Sequence, residues 1–214
     1  AAAKLLPEIV FLAHNLHRRE EAARYALLAA ERVELDPLLL RQLALQLDER
    51  EQWRRALRLY EKAWQGRNGS SPDQPATTSG DVLLQMEIGR LYFLVEDYAR
   101  SAAVFARVRE TLEHPERISQ NESLQKLVLG QPDRTYRILA EAFLQAGRFD
   151  DAAALFRKAQ ETAKNAPQLA FQLARVAAKR GRHDDALRQL DSYLQAHATS
   201  EGGAPYALLR EELQ

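Results

Sequence analysis

Apolar residues along this chain recur at intervals of three and four positions, the spacing that lines one face of an α-helix. No run of β-branched residues alternates with polar ones, as a half-buried strand would require. The most frequent residues, among them Ala, Leu, Arg, Glu and Gln, are strong helix formers. The pattern therefore predicts helix almost throughout, with two inserts that break the regular pattern at about 66–80 and 111–131.

The helical pattern itself repeats along the chain. Leu139 and Ala140 are followed by Phe143 and then by Gly147, and a similar series recurs one period later as Leu173, Ala174, Ala177 and Gly181. A fixed period of roughly 34 residues is typical of helical repeat arrays. Each unit is predicted to be two helices joined by a tight turn, because glycine tolerates the positive φ with which a helix often ends.

Weaker copies of the pattern occur upstream, so residues 1–214 are predicted to form a single array. The expected units are residues 3–36, 37–70, 82–115, 133–166 and 167–200. The insert at about 66–80 is rich in Gly, Ser and Pro, which predicts a flexible polar loop. The insert at about 111–131 contains helix-like apolar spacing, which predicts longer or additional helix. A further helix, either the first helix of another unit or a cap, is expected at 205–213.

Small residues stand at two fixed places in each of the four clearer units. They are Ala44, Gly89, Ala140 and Ala174 at the eighth place, and Ala56, Ser101, Ala152 and Ala186 at the twentieth. Together with aromatic residues such as Tyr92 and Phe143 at the eleventh place, this resembles the tetratricopeptide repeat family. The resemblance implies an all-α fold, a right-handed α-solenoid of helix-turn-helix repeats. The sequence departs from the family pattern where Glu51 and Glu96 replace the turn glycine.

The resemblance also implies a binding surface. In that family the first helices of the units line a concave groove that holds a peptide or protein segment. Transfer by position places these residues of the present chain in the groove: Arg41, Leu45, Met86, Arg90, Phe93, Arg134, Arg137, Glu141, Phe171, Arg175 and Lys179. Since arginine binds carboxylates through paired hydrogen bonds, the expected partner is a segment with acidic and apolar character.

Charge and composition exclude several other functions. The 30 basic side chains balance the 30 acidic ones, whereas nucleic-acid modules usually carry a basic excess, so no nucleic-acid partner is expected. No apolar run reaches the length of roughly 18 residues at which a membrane-spanning helix is expected, so no membrane insertion is expected. Cysteine is absent, which excludes disulfides, thiol nucleophiles and thiolate metal sites. Cytoplasm and periplasm are equally compatible with this composition.

No residue pattern for catalysis stands out. The chain has neither a phosphate-binding Gly-Lys-Ser/Thr loop nor a Gly-x-Ser-x-Gly turn. The pairs Asp150-Asp151 and Asp184-Asp185 follow predicted turns, where the helix dipole favours negative charge, so capping explains them. His14 and His17 could share a helix face but have no further ligands at metal-binding spacing. We therefore expect no enzymatic activity, no cofactor and no metal.

The leading hypothesis is a non-enzymatic scaffold for protein–protein interaction. Self-association through the terminal helices, giving a homo-oligomer or a structural module, is the first alternative. The second is a regulatory repeat region of a larger multidomain protein. It draws on the start of the chain, which opens with three alanines rather than an initiator Met and is interpreted as part of a longer sequence.

Overall fold

Ten helices form the described part of this protein, whose structure is a computed structural model. It describes residues 2–29, 31, 33–69, 71–76, 78–114, 131–162, 168–197 and 210, and none of them lies in a β-strand. The helices are α1 (Ala2–Asn15), α2 (Arg19–Ala29), α3 (Pro37–Asp48), α4 (Trp53–Asn68), α5 (Ser79–Leu94), α6 (Tyr98–Glu113), α7 (Pro132–Gln145), α8 (Phe149–Thr162), α9 (Gln168–Lys179) and α10 (His183–His197).

Consecutive helices pack as pairs, from α1 with α2 to α9 with α10. The predicted fold class, an all-α solenoid of helix-turn-helix repeats, is confirmed. The chain forms two compact units, residues 1–124 and 125–214. In the first, Leu43, Trp64 and Ile88 are fully buried, and in the second, Leu139 and Phe143 are fully buried. Each unit thus has an apolar core made from the inward faces of its helix pairs.

The five turns within the pairs share one backbone geometry. The residue that ends each first helix has positive φ: 56° at His17, 59° at Glu51, 66° at Glu96, 75° at Gly147 and 77° at Gly181. The next amide donates to the carbonyl oxygen five residues back, as from Arg148 to Phe143 at 2.8 Å. This is the Schellman motif, which satisfies the last carbonyls of a helix. Replacing glycine by glutamate has therefore not changed the turn.

We expect Glu96→Gly to raise the free energy of unfolding by about 1 kcal/mol, since a Cβ is strained in the left-handed region. Gly147→Ala should lower it by a similar amount, because the turn has the same conformation there. Urea denaturation measures both values. Glu49→Gly is the matched control: Glu49 has right-handed helical angles, with φ −55°, so glycine should destabilise the protein there. A lower free energy of unfolding for Glu96→Gly than for the wild type would contradict this expectation.

The first insert is anchored on the unit formed by residues 1–124. The side-chain amide of the buried Gln85 donates to the carbonyl oxygens of Pro72 and Gln74, both at 2.7 Å. Arg107 Nε donates to the carbonyl oxygen of Asp73 at 2.8 Å. Composition predicts a flexible loop here; in the structure, side chains from α5 and α6 bind the backbone of its residues 72–74.

Asp81 fixes the point where the insert joins α5. Its carboxylate is fully buried and lies 2.9 Å from Arg67 Nε. The same carboxylate accepts hydrogen bonds from the Thr78 amide at 2.9 Å and the Thr78 hydroxyl at 2.8 Å. The Thr78 hydroxyl in turn accepts from the Asp81 amide at 3.2 Å, which completes a capping box.

In the second insert, α6 extends to Glu113, while residues 115–130 and the predicted helix 205–213, apart from Arg210, lie outside the described residues.

Candidate functional site

All the groove residues predicted from the sequence lie on first helices of the pairs. Arg41 and Leu45 are on α3; Met86, Arg90 and Phe93 on α5; Arg134, Arg137 and Glu141 on α7; and Phe171, Arg175 and Lys179 on α9. The first five belong to the unit of residues 1–124 and the other six to the unit of residues 125–214. We call this set of first-helix positions the inner face, and describe it separately in each unit.

Arg90 is an internal cross-link of the inner face between α3 and α5. Its guanidinium pairs with the half-buried Asp48 of α3 and, at 2.9 Å, with Glu87 of α5. Burial lowers the pKa of Arg90, but the two carboxylates outweigh that and raise it above its ordinary value. Near it on α5, Phe93 packs edge-on against Tyr98, with ring centroids 5.4 Å apart. An acidic ligand would have to compete with both carboxylates for Arg90.

Arg41 has a different environment. Its side chain is half-buried and makes no hydrogen bond or ion pair within the ranges that the structure describes. Three apolar side chains at inner-face positions of α1 and α3 are exposed: Leu38 at 61%, Leu45 at 50% and Phe11, on α1, at 59%. We call Phe11, Leu38, Arg41 and Leu45 the inner patch. It combines exposed apolar surface with one unpaired positive charge.

Phe11 was not among the residues predicted for the groove. It stands one repeat period before Leu45, at the same place of the repeat. The first unit matches the family pattern weakly, so no groove position was transferred to it. The period alone could have identified Phe11, because the structure places turns at His17 and Glu51, which are one period apart as well.

In the unit of residues 125–214 the inner face is a network of paired side chains. Arg175 holds Glu141 through two hydrogen bonds of 2.9 Å. Gln145 also donates to Glu141, at 2.8 Å, and Lys179 donates to Gln145 at 2.9 Å. Burial raises the pKa of Glu141, but the hydrogen bonds from Arg175 and Gln145 and the charges of Arg175 and Lys179 bring it below its ordinary value. The ion pair links α7 to α9.

Two further arginines on α7 differ in their partners. Arg137 pairs with Asp133 one turn before it, at 3.2 Å. Arg134 is exposed and has no ion pair within the described ranges. On α9, the Arg175 guanidinium lies over the ring of Phe171, with its Cζ atom 5.9 Å from the ring centroid of Phe171. Three of the basic side chains predicted for the inner face, Arg90, Arg175 and Lys179, thus link neighbouring helices, while Arg137 pairs within α7. Arg41 and Arg134 are without such a partner in the described ranges.

The described residues contain no group of three or more His, Asp or Glu side chains placed to hold a metal ion. None of the described helices has both the length and the apolar character needed to cross a membrane.

Comparison with known proteins agrees with the repeat pattern. Residues 143–210 match the family profile described as Tetratricopeptide repeat, which confirms the predicted resemblance. No curated protein matches the sequence. Similar solved structures include "MamA 41-end from Desulfovibrio magneticus RS-1", with a TM-score of 0.53 and 16% identity over 94% of this chain and 97% of that one.

Two further structures are similar at the level of the fold. MamA of AMB-1 gives a TM-score of 0.55 and 16% identity, over 95% of this chain and 96% of that one. The crystal structure of the APC/C hetero-tetramer Cut9-Hcn1 gives 0.52 and 13%, over 99% of this chain and 36% of that one. At these identities the likeness concerns the all-α repeat architecture alone.

Proposed function

Because residues 143–210 match the tetratricopeptide repeat profile, we propose that the chain is a protein-interaction scaffold without catalytic activity of its own. Its inner face would bind a segment of another protein that has acidic and apolar side chains. The observation that carries the proposal is the inner patch, where Phe11, Leu38 and Leu45 are exposed and Arg41 is unpaired. The similar Cut9-Hcn1 structure, a hetero-tetramer by its description, is compatible with such a role.

The inner patch has the two elements that recognition of such a segment needs. Covering three large apolar side chains removes nonpolar surface from water, which stabilises a complex by about 25 cal/mol per Å². Arg41 adds selectivity, because a carboxylate can accept two parallel hydrogen bonds from a guanidinium. A basic segment would instead face a like charge. The paired arginines Arg90 and Arg175 contribute to the fold rather than to recognition in this account.

The test is a pull-down from a lysate of the source cells with the Arg41→Glu/Leu45→Glu double variant. We expect retention of bound proteins to fall about tenfold or more, equivalent to about 1.4 kcal/mol of binding free energy. The matched control is Arg54→Glu/Leu28→Glu, since both residues are exposed on second helices. Thermal melts of both variants serve to check that each of them folds. Equal retention by wild type and the inner-patch variant would refute the proposal.

A further inference from the structure

One face of α1, continued by Leu16 in the turn that follows it, carries four exposed apolar side chains in a row. Leu5, Ile9, Leu12 and Leu16 are 53%, 39%, 59% and 58% exposed. Their spacing of four, three and four residues places them within one narrow stripe of the helix surface. We call these four residues the α1 stripe. It lies apart from the buried side of α1, where Val10 and Ala13 face the core.

The same positions of the repeat are buried in α5 of this unit. Counted from the positive-φ residue of the turn, Leu5, Ile9 and Leu12 correspond to Leu84, Ile88 and Leu91 of α5, which are at most 1% exposed. Helix α4 packs against α5 and precedes it in the chain. The α1 stripe is therefore a helix-packing surface, and no helix within the described part of residues 1–124 covers it.

The arrangement of the stripe is symmetric about its own centre. In an antiparallel pair of α1 helices related by a two-fold axis between residues 10 and 11, Leu5 faces Leu16 of the other copy and Ile9 faces Leu12. The four-three-four spacing is that of two helices whose apolar residues interlock along a shared seam. Between residues 5 and 16, Glu8 and His14 are the only acidic or basic side chains, so pairing buries little charge.

We propose that the α1 stripe is the contact surface for the α1 stripe of a second copy of this chain, packed antiparallel. Such an interface uses the same surface on both copies, so it closes at the dimer. The stripe extends about 17 Å along the helix. It buries less than the roughly 800 Å² per partner of a standard interface. The dimer is accordingly weak, with a dissociation constant on the order of tens of micromolar.

Sedimentation over about 1–500 µM tests self-association. We expect a monomer–dimer equilibrium that Leu12→Glu shifts at least tenfold toward monomer. Leu28→Glu, an equally exposed leucine on α2, should leave it unchanged. The inner-patch variant Leu45→Glu should also leave it unchanged, so failure of this proposal is distinguishable from failure of the proposed function. A chain that stays monomeric throughout, or oligomers that grow beyond the dimer, would overturn the proposal.

Disulfide trapping tests the orientation, because the chain contains no cysteine. A mixture of Leu5→Cys and Leu16→Cys variants should form a disulfide-linked dimer under mild oxidation. Either variant alone should give no more than Leu28→Cys, since the two copies of Leu5 lie at opposite ends of the paired helices. Efficient cross-linking of Leu5→Cys by itself would indicate parallel helices and overturn the antiparallel arrangement.

Discussion

Replacing Gly89 by alanine is expected to lower the free energy of unfolding by about 2 kcal/mol, although alanine is the better helix former. A Cβ added at Gly89 would lie 2.5 Å from Phe105 Cε1 and 2.7 Å from Phe105 Cδ1. Phe105 is fully buried, so its ring cannot move aside without disturbing the core between α5 and α6. The contact explains why glycine stands at the eighth place in this unit, where the other clear units have alanine.

Urea denaturation of Gly89→Ala and Gly80→Ala makes the comparison. Both glycines are in α5, but a Cβ at Gly80 meets no atom closer than 3.7 Å. Gly80→Ala should therefore be neutral or slightly stabilising through helix propensity alone. If Gly89→Ala left the free energy of unfolding as little changed as Gly80→Ala, that result would contradict the close approach of α5 and α6 at Gly89.

Asp81→Ala is expected to cost about 2–3 kcal/mol and to release the first insert. The substitution removes the buried acceptor that binds Thr78 and Arg67 and holds the start of α5. Breaking a fully buried ion pair costs about 3–5 kcal/mol. The cost is smaller here, because the Arg67 side chain is 41% exposed and water can solvate it after the change.

The matched control is Asp97→Ala, which removes the capping carboxylate of α6. That carboxylate accepts from the Arg100 amide at 3.2 Å and is 37% exposed, so a loss of about 1 kcal/mol is expected. Limited proteolysis supplies a second measurement: cleavage within residues 69–78 should accelerate in Asp81→Ala only. Equal stability losses and unchanged cleavage in the two variants would show that Asp81 does not anchor the insert.

The helical repeat was predictable from sequence because each unit repeats the same local chemistry. The apolar spacing, the small residues and the turn glycines Gly147 and Gly181 all point to helix-turn-helix pairs. Residue type did not predict a left-handed residue at Glu51 or Glu96, since neither side chain favours positive φ. Only their place within the repeat period identified these positions as turns. Their left-handed backbone follows from the packing of the two flanking helices rather than from the glutamate side chain.

Longer-range contacts were predictable only where the period is unbroken. Glu141 and Arg175 have opposite charges at the same place of consecutive units, 34 residues apart, so their ion pair could have been foreseen. Arg90 and Asp48 are 42 residues apart across the first insert, at different places of their units. Gln85 is a polar residue within an apolar pattern, and nothing local reveals that it binds backbone 11 and 13 residues away.

The proposed function requires the inner face of residues 1–124 to bind a segment of another protein. Photo-cross-linking in the source cells detects such binding, with a photoreactive phenylalanine analogue placed at Leu45 or, as the control, at Leu28. Both positions are half or more exposed, so both side chains sample the surroundings equally. We expect protein adducts from position 45, mapping to an acidic and apolar segment, and few from position 28. Adducts from position 28 with none from position 45 would contradict it.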